Sequence, residues 1–428
     1  MPSPPNHVLI VGAGAAGLMA ARELARAGKR VTILEARERC GGRIYALPAE
    51  QFGYPAEGGA EFVHGAAPVT RALLREARLA FSPLAGARWS ARRGPLSPDT
   101  SPFLHSARLH QTLAELKTDL PVAEFLERHF ADPQYRELRR EITRMIEGYD
   151  AADPARASTF ALRDEWMDRG LGRQGRIGGG YGALIAFLAA QCRRHGAAIE
   201  LGAAVAAIEA RGAGIAARRR DGRVDEADAA ILTVPLAVLP DIALPSDARE
   251  KAAAFGDIGF GNVVKILLRF ATKWWADEGG RDLADLSFLF ANTRVPTWWT
   301  QHPAEHPVLT GWFAGPKADA VPLIAPRELV HMGLVSLAEI FAVPLERLKH
   351  DLVASTAVNW GNDPYARGAY SYATPRTRQA QTSLKLPAGH IFFSGEALYA
   401  GTDIGTVEAA LASGQETAQD ILAIAGKR

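Results

Sequence analysis

The N-terminal segment of the chain begins with a continuous apolar run, Val8–Val11. Such a run is typical of a strand that is buried on both faces of a parallel sheet. A glycine-rich turn and a segment of helix-forming residues, Ala15–Ala27, come next, and Val31–Leu34 is a second apolar run. The pattern therefore predicts a strand, a glycine turn, a helix and a second strand at the start of the chain.

The middle of the chain changes from helical to strand-like periodicity. Amphipathic spacing predicts helices over His110–Leu120, Pro121–Phe130, Gln134–Tyr149 and Ala183–His195. Shorter alternating segments then predict strands at Ala198–Leu201, Ala204–Ala210, Gly214–Arg220 and Arg223–Thr233. Asp221-Gly222 lies between the last two and favours a tight hairpin turn.

The C-terminal half combines one clear strand with a cluster of tryptophans. Val263–Phe270 has the composition of a buried strand, and helices are predicted at Pro326–Phe341 and Pro344–His350. A strand at His390–Ser394 followed by a helix at Gly405–Ala423 repeats the order of the first unit. The tryptophans at 274, 275, 298, 299 and 312 favour core packing over the lining of an apolar tunnel.

Composition narrows the class of protein. The chain has 428 residues, of which 48% are hydrophobic and 22% charged, so we expect a multidomain globular protein. A net charge of +2 gives no reason to expect a nucleic-acid partner, and no apolar segment predicts a signal peptide or membrane anchor. Two cysteines, Cys40 and Cys192, exclude a disulfide scaffold and a cysteine zinc cluster, and they favour the cytoplasm. No metal site is expected.

The glycine turn carries the first chemical signal. Gly12, Gly14 and Gly17 follow a strand and open a helix, which is the context of a dinucleotide-binding fingerprint. The first glycine permits a tight turn, the second lets the backbone approach a pyrophosphate, and the third permits close helix–strand packing. Glu35 ends the second strand, 23 residues after Gly12, where an acid would bind ribose hydroxyls.

The fingerprint itself fits both NAD and FAD, because the ribose carboxylate serves either cofactor. The following segment, Cys40-Gly41-Gly42-Arg43, favours FAD. Its glycines leave the backbone accessible beside the first turn, and the guanidinium of Arg43 offers a fork for phosphate oxygens. Cys40 is expected to be a small packed residue and not a redox thiol.

Five segments together resemble the flavin-dependent amine oxidase family, which includes monoamine oxidases, polyamine oxidases and L-amino-acid oxidases. The resemblance extends along the whole chain in the family's order. It rests on VGAGAAGLMAARELARAGKRVTILEARERCGGRI, EGGAEFVHG, GFGNVVKILLRF, WGNDPYARGAY and FFSGEALYAGTDIGTVEAALASGQETAQDI.

The resemblance implies an α/β fold: a Rossmann-like, GR2-type FAD-binding domain with an inserted α+β substrate domain. The FAD-binding domain would be discontinuous, at 1–72, 178–256 and 387–428. The substrate-binding domain would comprise 73–177 and 257–386.

The resemblance also implies FAD as a non-covalent cofactor, since Ala369 stands where monoamine oxidases carry the cysteine that links to flavin. Val205 would bind adenine through its backbone, and Glu396 would reach the ribityl-phosphate region. The start of the last helix would donate N–H groups to the flavin pyrimidine edge. The residues implied to bind the cofactor are Gly12, Gly14, Ala15, Ala16, Gly17, Glu35, Ala36, Arg37, Gly42, Arg43, Gly59, Ala60, Glu61, Val205, Gly395, Glu396, Gly405, Thr406 and Val407.

Four residues are implied to act in catalysis: Lys265, Trp360, Tyr370 and His64. In the family the matching lysine hydrogen-bonds a water at flavin N5; the alternative is a lysine on the wet face of a strand. For the two aromatic residues the alternative is core packing, and for the histidine it is a structural hydrogen bond.

The substrate would contact Tyr370, Thr406 and Glu61. Thr406 occupies the position of the second tyrosine of the monoamine oxidase cage, so that cage is incomplete. Glu61 could neutralise an ammonium, although a loop carboxylate is more often solvated. No arginine stands out in the sequence to bind a substrate carboxylate, which favours an amine without one.

The implied activity is oxidation of an amine by hydride transfer to flavin N5, which gives an imine and then an aldehyde or ketone, with O2 reduced to H2O2. Two alternatives from the same superfamily remain open: a desaturase or porphyrinogen oxidase, and an amine dehydrogenase with another acceptor. A non-enzymatic flavin-bound scaffold is a third. A homodimer is a partner state that the sequence leaves open.

Overall fold

The computed structural model describes residues 5–92, 94–99, 104–167, 174–321 and 323–426. Its helices are α1 (Ala15–Arg26), α2 (Ala49–Phe52), α3 (Pro68–Ala77), α4 (Ser106–Glu115), α5 (Val122–His129), α6 (Arg136–Gly148), α7 (Thr159–Met167), α8 (Gly180–Arg194), α9 (Ser246–Ala252), α10 (Pro316–Asp319), α11 (Pro326–Phe341), α12 (Leu345–Asp351), α13 (Thr377–Leu384) and α14 (Val407–Gly426).

The strands are β1 (His7–Val11), β2 (Arg30–Leu34), β3 (Phe81–Pro83), β4 (Ala87–Ala91), β5 (Ser97–Pro98), β6 (Gly175–Ile177), β7 (Ala198–Glu200), β8 (Val205–Arg211), β9 (Gly214–Arg219), β10 (Val224–Ala227), β11 (Ala229–Leu232), β12 (Gly259–Gly261), β13 (Val263–Phe270), β14 (Leu286–Ala291), β15 (Thr297–Trp299), β16 (Val308–Ala314), β17 (Leu352–Asn359), β18 (Tyr370–Tyr372) and β19 (Ile391–Phe393).

The central sheet is parallel and has the strand order β19-β11-β1-β2-β7. Val8 and Ile10 face an apolar cluster built with α1, α8 and α14, while Leu9 and Val11 face a second cluster that includes side chains of β8 and β9. Both faces of β1 are therefore buried, which explains its continuous apolar run. This arrangement confirms the predicted Rossmann-like α/β fold.

The predicted single strand at Arg223–Thr233 was wrong, because the segment forms two strands in different sheets. β10 stays in an antiparallel three-stranded sheet with β9 and β8, whereas β11 enters the central sheet. The carboxylate of Asp228, between them, accepts hydrogen bonds from the backbone N–H groups of Asn6 and His7 at 2.7 and 2.8 Å. These bonds hold the chain beside the start of β1 as it passes from β10 to β11. The sequence did not predict the boundary between the two strands, because no glycine or proline lies there.

A second, larger sheet has the order β17-β13-β16-β15-β14-β4-β5. The sequence predicted β13 but not its neighbours β16 and β17. Trp274, Trp275 and Trp298 pack in the apolar core of this sheet. Trp299 and Trp312 instead line a cavity, so the tryptophan cluster is divided between core and cavity.

Helices α4 to α7 form a separate helical layer around Phe125, Phe130 and Ile142. α4 begins and ends several residues before the predicted His110–Leu120 helix, whereas α5 and α6 match their predictions to within two residues at each end. A short antiparallel pair, β12 with β18, joins this layer to the larger sheet and holds Tyr370 opposite Gly261. A side chain at Gly261 would lie 1.9 Å from the carbonyl oxygen of Ala151, so only glycine fits there.

The predicted domain boundaries stay a prediction. The central sheet takes strands from 7–34, 198–232 and 391–393, and the larger sheet takes strands from 87–98 and 263–359. Across the described ranges, no helix is both long enough and apolar enough to cross a membrane.

Candidate active site

One cavity of about 1510 Å³ connects the glycine turn after β1 with the face of the larger sheet. Its size exceeds the roughly 300–1,000 Å³ of pockets for drug-sized ligands. Every residue predicted for the cofactor, substrate or catalysis lines this cavity, except Gly17. A long cofactor and a substrate could therefore occupy it together.

The glycine turn has the geometry expected of a phosphate-binding loop. Gly12 has φ +107°, and a side chain at Gly17 would lie 2.0 Å from the carbonyl oxygen of Gly12, so Gly17 acts in helix–strand packing. A side chain at Gly14 would meet no other atom within 4 Å, which leaves open space beside the backbone. The start of α1 supplies N–H donors and a partial positive charge there.

The carboxylate of Glu35 is buried beside this turn. It accepts hydrogen bonds from the backbone N–H groups of Ala13 at 2.7 Å and Arg37 at 2.9 Å. These bonds fix its orientation at the end of β2, while the side chain still lines the cavity. Arg37 is itself held by a two-pronged ion pair with Asp363, at 3.0 and 2.7 Å.

Arg43 and Glu396 were both predicted to contact the cofactor, and the structure pairs them with each other. Arg43 Nη1 lies 2.7 Å from Glu396 Oε1 and also donates to the carbonyl oxygen of Ala369 at 2.8 Å. Ser371 Oγ donates to the same carboxylate oxygen at 3.1 Å. Glu396 Oε2 is buried and has no partner in the described part of the chain, so it can accept a hydrogen bond from a bound ligand.

The segment before α14 brings another set of donors to the cavity. Gly405 has φ +83°, and a side chain there would lie 2.4 Å from the carbonyl oxygen of Ser371. Thr406 Oγ1 donates to the carbonyl oxygen of Asp403 at 2.7 Å and accepts from the N–H of Ala409 at 3.1 Å. Thr406 therefore caps the helix, and its predicted contact with the substrate stays a prediction.

Lys265 is buried, with 1% of its side chain exposed, so it does not lie on a solvated face of its strand. Its ammonium donates to Glu61 Oε2 at 2.8 Å and to the carbonyl oxygen of Gly59 at 3.1 Å. It also lies 5.4 Å from the centre of the Trp299 ring. The wet-face alternative for Lys265 is therefore wrong.

Glu61 is equally enclosed, which excludes the alternative of a solvated loop carboxylate. Besides Lys265, it accepts hydrogen bonds from Arg176 Nε at 3.0 Å and from Gln301 Nε2 and Trp299 Nε1 at 3.1 Å. Burial alone would raise the pKa of Glu61, but the two cations outweigh it and hold that pKa at about 2. The predicted contact with a substrate ammonium stays a prediction, and these four partners weigh against it.

Aromatic rings line the cavity beside Lys265, which is paired with Trp312 across β13 and β16. Tyr370 and Trp312 stack at 6.5 Å with an angle of 19°, and Tyr370 Oη donates to the carbonyl oxygen of Tyr149 at 2.7 Å. Trp360 is almost fully buried, and its Nε1 donates to the carbonyl oxygen of Gly58 at 3.2 Å. Trp360 thus packs in the apolar core and also lines the cavity.

His64 lies at the end of the aromatic wall, where its Nδ1 is 3.1 Å from Tyr149 Oη. Gln174 Nε2 donates to the same hydroxyl at 3.0 Å. Burial lowers the pKa of His64 to about 4, so the imidazole is neutral at pH 7. It can exchange hydrogen bonds with a substrate but does not repel a cation.

Three carboxyl groups in the cavity, Asp150, Glu165 and Asp403, were not found from the sequence. Burial raises the pKa of Asp150, and Glu165 raises it further; burial and then Asp403 do the same for Glu165. A cation entering this region would relieve the repulsion between them. They come from α7 and two loops, so no local spacing could have brought them together in a prediction.

Three arginines that did not stand out in the sequence, Arg88, Arg92 and Arg144, also line the cavity. Arg92 and Arg144 both pair with Glu141, at 3.2 and 3.0 Å, and the Arg88 guanidinium lies 5.0 Å above the Phe290 ring. Among the described residues, no group of three or more His, Cys, Asp or Glu side chains could hold a metal ion.

These features fit FAD. The turn offers backbone donors beside open space, the buried Glu35 can accept ribose hydroxyls, and Glu396 Oε2 lacks only a donor. The same cavity includes an aromatic chamber, lined by Tyr370, Trp312 and Trp360, that holds Lys265. A dinucleotide stretched between these two ends would expose its reactive ring to the chamber.

Comparisons with known proteins agree with this geometry. The family model described as flavin containing amine oxidoreductase matches residues 15–422. Polyamine oxidase 4 of Oryza sativa subsp. japonica is 27% identical over 460 residues, covering 98% of this chain and 88% of the rice protein.

Two solved structures share the fold. Putrescine oxidase bound to putrescine superposes with a TM-score of 0.79 at 22% identity, covering 98% of this chain and 99% of the other. Cyclohexylamine oxidase from Brevibacterium oxydans gives 0.80 at 20% identity, covering 99% and 100%.

Proposed function

The chain belongs to the family of flavin-containing amine oxidoreductases, and we propose that it is an oxidase that uses O2 as its electron acceptor. Membership of the family makes the protein an amine-oxidising flavoenzyme with FAD as its cofactor. In the proposed reaction the amine loses two electrons and two protons to give an imine, and O2 takes them up to give H2O2. Water then hydrolyses the imine to an aldehyde or ketone and releases its nitrogen as ammonia or an amine.

The cavity, which joins the glycine turn and Glu35 to the aromatic chamber of Tyr370 and Trp360, supports amine oxidation by a flavin. The observation that supports O2 as the acceptor is the buried Lys265 ammonium in the same cavity. Bound FAD supplies the acceptor for the electron pair of the amine C–H bond. In our proposal Glu35 holds the adenosine ribose, Glu396 accepts from the ribityl-phosphate region, and the start of α14 donates to the pyrimidine edge.

The chamber walls favour the reactive form of the amine. An ammonium has no lone pair to help expel hydride from the neighbouring carbon, so the neutral amine must reach the reaction site. Tyr370, Trp312 and Trp360 surround that region with apolar surface, which disfavours a cation relative to a neutral amine. His64 is neutral there and can accept a hydrogen bond from the amine nitrogen.

The carboxyl groups of Asp150, Glu165 and Asp403 suit a substrate whose remote end is cationic. A substrate carboxylate in the same region would meet three acidic groups. We therefore propose an amine, and not an α-amino acid, as the substrate. Arg92 and Arg144 also line the cavity, but both already pair with Glu141, which offsets one of their two positive charges.

We also propose a cytoplasmic location, because Cys40 and Cys192 are both free thiols in the structure. The buried Cys192 donates to the carbonyl oxygen of Leu18 and is enclosed by apolar packing. The domain division predicted from the sequence is retained as part of the proposal.

A peroxide-coupled screen tests the function. Purified holoenzyme is offered monoamines, diamines, polyamines and L-amino acids, and H2O2 and the carbonyl product are measured together. We expect one H2O2 for each amine consumed. Flavin bleaching by an amine without H2O2 formation in air would indicate a dehydrogenase, and no bleaching by any amine would favour a desaturase or a non-enzymatic scaffold.

A further inference from the structure

Lys265 and Glu61 form an ion pair that the cavity wall encloses almost completely. The exposed fractions of the two side chains are 1% and 8%. Two of the three N–H groups of Lys265 Nζ donate hydrogen bonds, one to Glu61 Oε2 and one to the carbonyl oxygen of Gly59. Since Lys265 lines the cavity, the third N–H is left for the cavity side.

Glu61 is fixed more firmly than the lysine that it holds. Trp299 Nε1 lies 3.1 Å from both of its oxygens, and Arg176 and Gln301 bind Oε1. Arg176 is anchored in turn, because its Nη2 donates to the carbonyl oxygen of Thr300 at 2.8 Å and its guanidinium lies 4.8 Å above the Phe62 ring. Rotation of the carboxylate would break four contacts at once.

The charges in this cluster do not cancel. Lys265 and Arg176 supply two positive charges, and Glu61 supplies one negative charge, so one net positive charge remains in the wall. Without the carboxylate two buried cations would face each other, which is costly in a desolvated site. Glu61 thus controls both the direction of the ammonium and the net charge behind it.

We propose that Glu61 is a positioning residue, which aims the Lys265 ammonium into the cavity and limits the net charge of this wall to one. The inference rests on the proposed function, because it places this charge beside the flavin. It goes beyond that function because it assigns Glu61 a role in orienting Lys265 and in balancing the charges of Lys265 and Arg176. This role does not require Glu61 to contact the substrate.

The test measures the midpoint potential of the bound flavin, which responds to nearby charge whether or not an amine turns over. A positive charge stabilises the anion that reduced flavin becomes, and therefore raises the potential. Holoenzymes of the wild type, Lys265→Met, Glu61→Gln and the double variant are reduced anaerobically with dithionite in the presence of indicator dyes. Their net wall charges would be one, zero, two and one.

We expect the potential to fall in Lys265→Met, to rise in Glu61→Gln, and to return close to the wild-type value in the double variant. Shifts of the two single variants in the same direction, or no shift in Glu61→Gln, would overturn the proposal. If Glu61→Gln does not fold, Lys265→Met and the double variant are compared, and the double variant must have the higher potential.

Glu61→Asp separates positioning from charge, because it keeps the charge and shortens the side chain by one methylene. We expect its potential to match the wild type, while reoxidation of the flavin by O2 slows roughly tenfold because the ammonium is displaced. An unchanged reoxidation rate would contradict the positioning role.

Glu57→Gln is the matched control. Glu57 is buried four residues earlier on the same loop and makes no hydrogen bond to Lys265; its Oε1 accepts from the N–H of Gly182. Burial raises the pKa of Glu57 to about 7, so at pH 6 it is largely uncharged and the variant should keep the wild-type potential. If no amine reduces the flavin of the wild-type protein, the proposed function is wrong. The midpoint potentials can still be measured, so the two proposals can fail independently.

Discussion

Arg43 and Glu396 stand 353 residues apart in the chain and form an ion pair of 2.7 Å at the wall of the cavity. Glu396 is only 6% exposed, and Arg43 supplies the opposite charge beside its carboxylate. Arg43 was expected to bind phosphate directly, and that role stays a prediction. The contact indicates that Arg43 also holds the Glu396 carboxylate in place as an acceptor for the cofactor.

We expect FAD to be bound tightly but without a covalent bond. Ala369 has no nucleophile, and its carbonyl oxygen is held by Arg43. The purified protein should be yellow and should release its flavin into the supernatant on acid precipitation, measured by absorbance. Flavin that stays with the pellet would contradict this.

Glu35→Ala should weaken FAD binding at least tenfold. The change removes charge-assisted hydrogen bonds to the ribose, each of about 1.5–3 kcal/mol, where about 1.4 kcal/mol is tenfold in Kd. It also frees the N–H of Ala13 in the glycine turn. Flavin titration of the apoprotein measures the effect, with the exposed Glu38→Gln on the same loop as the control; equal affinities would refute the ribose assignment.

Lys265→Met should slow flavin reoxidation by O2 roughly 10²-fold, about 2.7 kcal/mol, and should change reduction by the amine only modestly. Oxygen acquires negative charge as it accepts its first electron, and the buried ammonium stabilises that charge. Stopped-flow absorbance separates the two half-reactions. If the variant reoxidises at the wild-type rate, Lys265 does not assist the reaction with O2, and the strongest structural support for O2 as the electron acceptor is lost.

Glu57→Gln should stabilise the protein at pH 8 but not at pH 5. Because burial raises the pKa of Glu57 from 4.5 to about 7, the folded protein holds this proton more tightly than the unfolded chain does. The free energy of unfolding of the wild type therefore falls as the pH rises from about 4.5 through about 7, by on the order of 3 kcal/mol at most.

The measurement is the Tm at both pH values, with the exposed Glu127→Gln as control. A difference in Tm of the same size at pH 5 and pH 8 would show that the effect does not come from titration of Glu57.

Glu165→Gln should raise the KM for a diamine about tenfold and should affect a monoamine of equal chain length much less. The variant removes a carboxylate from the acidic region of the cavity, and a charge-assisted hydrogen bond is worth about 1.5–3 kcal/mol. Steady-state kinetics with the two substrates give the comparison within one protein. Equal changes in both KM values would show that the second ammonium group of the diamine does not bind beside Glu165.

The sequence predicted those parts of the site that depend on local geometry. Gly12, Gly14 and Gly17 form the turn that their spacing after a strand predicts, and Glu35 lies beside it at the end of the next strand, as predicted. The environment of Lys265 could not be predicted, because the partners of Glu61 come from β6 and from the β15 region, more than a hundred residues away. The acidic region was missed because its members become neighbours only in three dimensions.

The strand order of the central sheet has a consequence for how the protein is made. β19 is synthesised long after β11, yet it pairs with β11, and α14 packs against α1. A nascent chain in which β1, β2 and β11 have left the ribosome therefore has an unpaired apolar sheet edge, which favours aggregation until β19 emerges and pairs with β11. Glu396 and the start of α14 emerge after that edge, so the flavin site that we propose is complete only once both have left the ribosome.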